Sequence, residues 1–121
     1  MKTLLQPEVL ELYTKMLDFT AVRHTVIANN IANVNTPGFR RSDVEFADEL
    51  ERVLRDRGLK GVKDIRFRRT KPNETAVRND GNNVDMDVEM AVLAENALLY
   101  QVYAQLLARR FRNLQEILRE A

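Results

Sequence analysis

His24 and Ser42 are the one histidine and the one serine of a chain that has no cysteine. Nucleophilic, thiolate and imidazole chemistry therefore has almost no material to work with. His24 lies on an apolar helical stripe, where a packed or interfacial imidazole is expected rather than a catalytic one. Ser42 stands three residues before Glu45, the spacing of a helix capping box. No Ser-His-Asp set, paired-carboxylate pocket or phosphate-cradling loop can be assembled, so the chain reads as a non-enzyme without a cofactor. The acidic run DGNNVDMD, Asp80 to Asp87, invites a calcium reading and fails it. Counted from Asp80, the sixth position of the loop is Asp85 instead of Gly and the twelfth is Ala91 instead of Glu. A turn followed by a helix start accounts for the same residues, and no metal is expected.

Two other clusters suit recognition rather than catalysis. From Arg52 to Lys71 nine bases face only Asp56 and Asp64, and Arg66, Phe67, Arg68 and Arg69 interleave cations with an aromatic ring. That pattern fits a small helical nucleic-acid-binding or membrane-surface adaptor, the alternative reading of segment 52–71. Five acids without a base run from Asp43 to Glu51, and five more from Asp80 to Glu95. These flanking blocks would repel phosphates, whereas alternating blocks of charge suit head-to-tail contacts between copies or relatives. The second cluster is ANNIANVNTPGF, Ala28 to Phe39. Asn29 and Asn33 share a helix face, Asn30 and Asn33 are neighbours at three-residue spacing, and Asn35 suits a helix-end cap. Asparagine is a poor helix former whose amide both donates and accepts, so these side chains are candidates for bonding a neighbouring helix or turn.

The elements that hold these clusters follow from periodicity. Pro37 lacks a donor and disfavours a helical Thr36, so a helix entering through Ile27 and Ile31 ends near Val34 or Asn35. Pro37 and Gly38 then fill the centre of a type II turn before Phe39, with positive φ at the glycine. The first helix is predicted from about Pro7 or Glu8, with a stripe through Leu10, Tyr13, Leu17, Thr20, His24, Ile27, Ile31 and Val34. A second seam runs through Leu12, Met16, Phe19 and Val26. A short helix is predicted over Phe46, Leu50, Val53 and Leu54, supported by the pairs Asp48–Arg52 and Glu51–Arg55 and closed by Gly58. Beyond it Ile65 and Phe67 alternate like a strand and Asn79, Asp80 and Gly81 signal a tight turn, which suggests loops with a β-hairpin. From Asp85 a final helix of about 34 residues, roughly 50 Å, carries the stripe Met86, Met90, Leu93, Ala97, Tyr100, Ala104, Leu107, Phe111, Leu114 and Leu118. Acids gather at its start and arginines at its end, as the helix dipole favours.

These elements predict a mostly α fold. Long terminal helices form an elongated antiparallel coiled-coil hairpin, with a short helix and a loop or β-hairpin middle. The chain reads as one assembly domain in three stretches, residues 1–39, 40–84 and 85–121. With 121 residues, 45% hydrophobic and 31% charged, it is about one soluble domain's worth. No stretch reaches the ~18 apolar residues of a membrane span. The opening MKTLLQPEVLELYTKML meets Pro7, Glu8 and Glu11 before any long apolar run, so no cleavable leader is expected. Two helices with wide apolar faces cannot hide everything inside 14.0 kDa. The surplus is expected to meet partners, with order gained on assembly.

ANNIANVNTPGF resembles the N-terminal signature of bacterial flagellar axial proteins of the rod and hook family. The segment DGNNVDMDVEMAVLAENALLY, from Asp80 to Tyr100, is similar to the pattern that opens the C-terminal helix of rod proteins, most closely those of the proximal rod. The resemblance places Asn29, Asn30, Asn33, Asn35, Thr36, Pro37, Gly38 and Phe39 on the first motif, and Asp80, Gly81, Asn82, Asn83, Val84 and Asp85 on the second. It implies a structural subunit of the basal body, exported through the flagellar type III apparatus without a cleaved leader and assembled in the periplasm. Its terminal helices would pack as a coiled coil in the inner tube that joins the membrane ring to the hook, transmits torque and encloses the export channel. The implied partners are further copies, related rod proteins, ring or rod-adaptor proteins and the export apparatus, with neither nucleic acid nor a membrane span.

Overall fold

The computed structural model describes residues 6–120, and the expectation about a leader rests partly on residues 1–5, outside that range. Helix α1 spans Pro7–Ala32, with the proline in its first turn where the missing N–H costs nothing. It ends one turn before Pro37. Strand β1 (Asp43–Glu45) leads into α2 (Ala47–Arg57), then a 3-10 helix over Gly58–Asp64, strand β2 (Arg68–Thr70) and the long helix α3 (Met86–Glu120). The mostly helical character, the two long terminal helices and the short middle helix are as expected, and α3 has 35 residues.

The Thr36-Pro37-Gly38-Phe39 turn closes with Phe39 N donating to Thr36 O at 3.2 Å and Gly38 at φ 75°. The second turn closes with Gly81 N donating to Arg78 O at 2.9 Å, Gly81 lying at φ 85°. Gly58, at φ 67°, terminates α2.

Three local expectations are corrected. Ser42 is not a cap: Asp43–Glu45 is extended, Phe46 holds the N-cap position of α2 without a side-chain bond, and Ser42 is buried. The sheet is not a local hairpin either, because β1 pairs antiparallel with β2 across the whole of α2, Val44 opposite Arg69. Ile65 and Phe67 fall just before β2 and turn inward instead. On α2, Arg52 bonds Glu49 at 2.6 Å and approaches Asp56 at 3.9 Å rather than Asp48, and Arg55 lies nearest Asp56.

α1 works on two faces. One carries Phe19 and Val26, with Leu12 and Met16 beside them, into a core shared with Val44, Phe46, Val53, Val62 and Ile65. Phe19 stacks on Phe46 at a centroid distance of 5.0 Å, and Phe67 meets Phe46 edge-on at 5.6 Å. The second seam is thus the core face of the middle segment. The other face, with Thr20 and Ile27 fully buried, turns to α3. Contacts between the helices run in reversed order, Asn30 beside Glu89 and Thr20 beside Asn96. Of the stripe residues, Ile27 is buried, Leu17, Ile31, Leu93, Leu107 and Leu114 are half-buried, and His24 is exposed. Met90, Tyr100 and Phe111 are each 52% exposed and Leu118 is 73% exposed. The fully buried residues of α3 are Glu89 and Asn96, rotated by one position from the apolar stripe. Among the described residues no helix is long and apolar enough to cross a membrane.

Candidate assembly site at the junction of two asparagine-rich segments

A helix leaves its last four carbonyls without partners inside it. In α1 the amides of Asn33 and Val34 bond Asn29 O, Asn30 O and Ile31 O, and the segment Arg78–Val84 bonds the carbonyls of the C-cap and the turn that follow. Asn82, buried with its side chain under the helix end, points its amide nitrogen at Asn33 O (2.9 Å), Val34 O (3.1 Å) and Thr36 O (2.8 Å). Its Oδ1 accepts from Val84 N at 2.7 Å, which fixes the amide orientation. The Arg78 guanidinium spans the same gap, donating to Val34 O and to Val84 O. Backbone contacts complete the joint: Gly38 N donates to Asp80 O (2.8 Å) and Asn83 N to Phe39 O (3.3 Å). A Cβ added to Gly81 would lie 3.3 Å from Gly38 Cα, so the two turn glycines sit against each other. Asn83 Oδ1 accepts from Arg41 N at 2.7 Å, and Asp85 caps α3 by accepting from Asp87 N at 2.9 Å.

Beneath this joint lies a buried polar chain. Asn30 treats the Ser42 backbone as a strand would: its Nδ2 donates to Ser42 O (2.7 Å) while its Oδ1 accepts from Ser42 N (2.9 Å). The same Nδ2 reaches Glu89 Oε2 at 3.2 Å, and Glu89 Oε1 accepts from Arg41 Nε at 2.5 Å. Glu89 is 0% and Arg41 5% exposed, so the charge pair is removed from water and held by geometry. Further along, Asn96 donates to Thr20 O at 2.8 Å.

The structure divides the first motif in two. Asn30 is buried and joins elements, while Asn33 is the C-cap residue of α1, donating to Asn29 O and accepting from Thr36 Oγ1. Asn29, Asn35, Thr36, Pro37 and Gly38 are exposed and Phe39 is half-buried. The capping role expected of Asn35 therefore falls to Asn33. In the second motif Asn82, Asn83 and Val84 are buried, Gly81 is half-buried, and Asp80 and Asp85 are exposed. Arg41, Arg78 and Asn96 carry no signal of their own in the sequence, while Ser42 and Glu89 suggest only a cap and a helix-start acid. A shift of the α3 stripe by one residue would have exposed the pattern, since Glu89 and Asn96 are seven apart on one face.

Electrostatics at the edge of this site favour the folded chain. Arg23 donates to both carboxylate oxygens of Asp43, at 2.9 and 3.2 Å. Partial burial opposes ionisation of Asp43, but the Arg23 hydrogen bond, the Val44 amide and the nearby guanidinium charges outweigh it and hold the carboxyl below its ordinary 3.8. A carboxyl depressed by folding stabilises the fold above its unfolded pKa, and that contribution fades as pH falls through the lower folded value. Thermal melts taken below pH 4 are thus expected to lose stability less steeply in Asp43→Asn than in the wild type. The basic block is partly neutralised within the chain, Arg57 by Asp64 at 2.9 Å and Arg68 by Glu45 at 2.6 Å.

A family model described as "Flagella basal body rod protein" matches residues 20–40, the second half of α1 and the turn held by Asn82. The chain is 35% identical to the flagellar basal body rod protein FlgB of Borrelia hermsii, over 90% of this chain and 94% of the relative. It belongs to the flagellar basal body rod protein family. Rod proteins of the same name from Escherichia coli (31% identical, 84% of this chain and 86% of the relative) and Bacillus subtilis (32%, 80% and 82%) are similar across most of their length. The two segments that dock here are therefore those through which the chain resembled rod proteins, and nothing in these relatives supports the nucleic-acid or membrane-surface reading of segment 52–71.

Proposed function

We propose that this chain is a structural subunit of the flagellar basal-body rod, at its proximal end, and assembles with further copies and related rod proteins through α1 and α3. The observation that carries this is the apolar stripe of α3, where Met86, Met90, Tyr100, Phe111 and Leu118 are 40–73% exposed in a chain that belongs to the rod family. Surfaces of this kind are rare on stable monomers and mark interfaces. Ile27 is already buried between the helices, and on assembly the remaining stripe residues of α1 (Leu17, Ile31) and α3 (Met90, Leu93, Tyr100, Leu107, Phe111, Leu114) close around it as an antiparallel coiled-coil hairpin in contact with its neighbours. The exposed turn Asn35–Gly38 and the asparagine joint set the angle at which the middle segment leaves that pair. Export through the type III apparatus without a cleaved leader and contact with ring or rod-adaptor proteins complete this reading. The assembled tube would connect the membrane ring to the distal rod and hook, transmit torque and line the export channel.

Phe111 tests the reading better than the half-buried Leu107, because an aspartate at an exposed site leaves the monomer intact. Phe111→Asp places an unpaired charge in the closed interface at a cost of at least ~2 kcal/mol. Cells carrying only this variant are expected to make the protein at normal levels but to lack complete basal bodies and not to swim. Normal basal bodies and swimming in the variant contradict the interface.

A further inference from the structure

Opposite charges are gathered at two places that the chain cannot bring together by itself. The first is a pocket of about 320 Å³ on the middle segment, lined by Arg23, Arg41 and Asp43 within and by Glu45, Asp48 and Glu74 at the mouth. Arg23 bonds Asp43 and Arg68 bonds Glu45. Among the described residues neither Asp48 nor Glu74 has a basic partner within 4.0 Å, and both are exposed. Inside, Arg41 is 5% exposed, its Nη2 has no hydrogen-bond partner, and Asp43 Oδ2 is 4.0 Å away. The pocket thus has an acidic mouth and, deeper, an unsatisfied donor.

The second place is the end of α3, where Arg109, Arg112 and Arg119 are exposed and, among the described residues, have no carboxylate within salt-bridge reach. The last turn of a helix also presents carbonyls without intrahelical partners, the acceptors that Arg41 lacks. Arg23, in the pocket wall, lies 3.5 Å from Glu95 of the same chain, which fixes the level of the pocket along α3. At 1.5 Å per residue Arg112 lies ~25 Å and Arg119 ~36 Å further along the helix, too far for an extended arginine to reach back. The complementary surface must come from another molecule.

We propose that the acidic pocket of one copy, at Asp48 and Glu74, receives the basic end of α3, at Arg112 and Arg119, from a second copy of this chain. This rests on the reading of the chain as a self-assembling rod subunit and supplies a partner contact for it. The contact joins unlike surfaces, so each copy keeps a free pocket and a free helix end, and repetition builds a ring or a helical array instead of a two-fold dimer. Opposed charges at such a contact set register and reject a misaligned neighbour.

Charge exchange in cells whose only copy is the variant tests it, with basal bodies isolated and the subunit quantified by immunoblot. Asp48→Lys with Glu74→Lys is expected to lower incorporation about tenfold, and so is Arg112→Glu with Arg119→Glu, because like charges then meet. All four substitutions sit on exposed side chains, and unchanged thermal melts of the soluble variants confirm that folding is intact. Combining the four in one chain restores the complementarity and should return incorporation to within about twofold of wild type. A combined variant no better than either pair, or pairs that incorporate normally, overturns the proposal. Absence of the wild-type chain from basal bodies would instead overturn the rod assignment itself.

Discussion

Glu89→Ala is expected to destabilise the folded chain by about 3–5 kcal/mol, the range for breaking a buried ion pair from one side. Glu89 is fully buried on α3, where it accepts from Arg41 and from Asn30. Its removal leaves the Arg41 guanidinium, only 5% exposed, with no charged partner nearer than Asp43 Oδ2 at 4.0 Å, and opens a gap between α1 and α3. A small domain is stable by only ~5–15 kcal/mol, so much of that margin would go. The charge is tested separately from the volume by the pair Glu89→Leu and Arg41→Met. Removing both charges removes the desolvation cost as well, and Asn30 keeps its two bonds to Ser42. The double variant is therefore expected to lie within about 1–2 kcal/mol of wild type. Urea melts at neutral pH decide it, and a single variant that loses less than the double would show that the pair is not the link between the helices.

Asn82→Ala is the second large effect, expected at about 3 kcal/mol. The alanine removes the donor shared by three carbonyls at the end of α1 and strands the N–H of Val84, a residue 1% exposed. An orphaned buried N–H costs ~1–3 kcal/mol and each lost bond ~0.5–1.5. The carbonyls themselves fare better, because Asn33 O and Thr36 O also accept from the turn amides of Thr36 and Phe39. Asn82→Asp should be worse than alanine. It keeps the acceptor for Val84 but turns a carboxylate oxygen toward three carbonyl oxygens. Hydrogen exchange locates the damage: the amides of Gly38 and Asn83, which bridge the two segments, should exchange faster than those in the middle of α1. Uniform acceleration across α1 and α3 would mean that the joint has no independent stability.

Both substitutions act on residues whose partners are remote in the sequence. Asn82 stood out as part of an asparagine-rich turn, but the helix end it serves is more than forty positions away. Glu89 looked like one more acid favoured at a helix start. Ser42 and Glu45 satisfied the capping-box spacing, yet the strand pairing of Asp43–Glu45 with Arg68–Thr70 took those residues first. A local rule lost there to a contact made across an intervening helix, and the expected hairpin failed for the same reason.

What the sequence determined by itself is whatever depends on neighbours within a few positions. Pro37 stopped α1, Gly38 and Gly81 supplied positive φ, Asp85 capped α3, and four heptads of apolar spacing made a long helix. These are constraints of backbone sterics and local hydrogen bonding, and they survive any tertiary arrangement. Only the tertiary structure decided which side of each helix is buried. α1 carries two apolar seams, and its choice of the Phe19 seam for the middle segment follows from the aromatic partners Phe46 and Phe67 that the fold brings to it. On α3 the buried positions went to Glu89, which answers the Arg41 guanidinium and the Asn30 amide, and to Asn96, which donates to Thr20 O, because a buried guanidinium needs a charged partner that an apolar side chain cannot supply. With those positions buried, Met90, Tyr100 and Phe111 face outward, each 52% exposed.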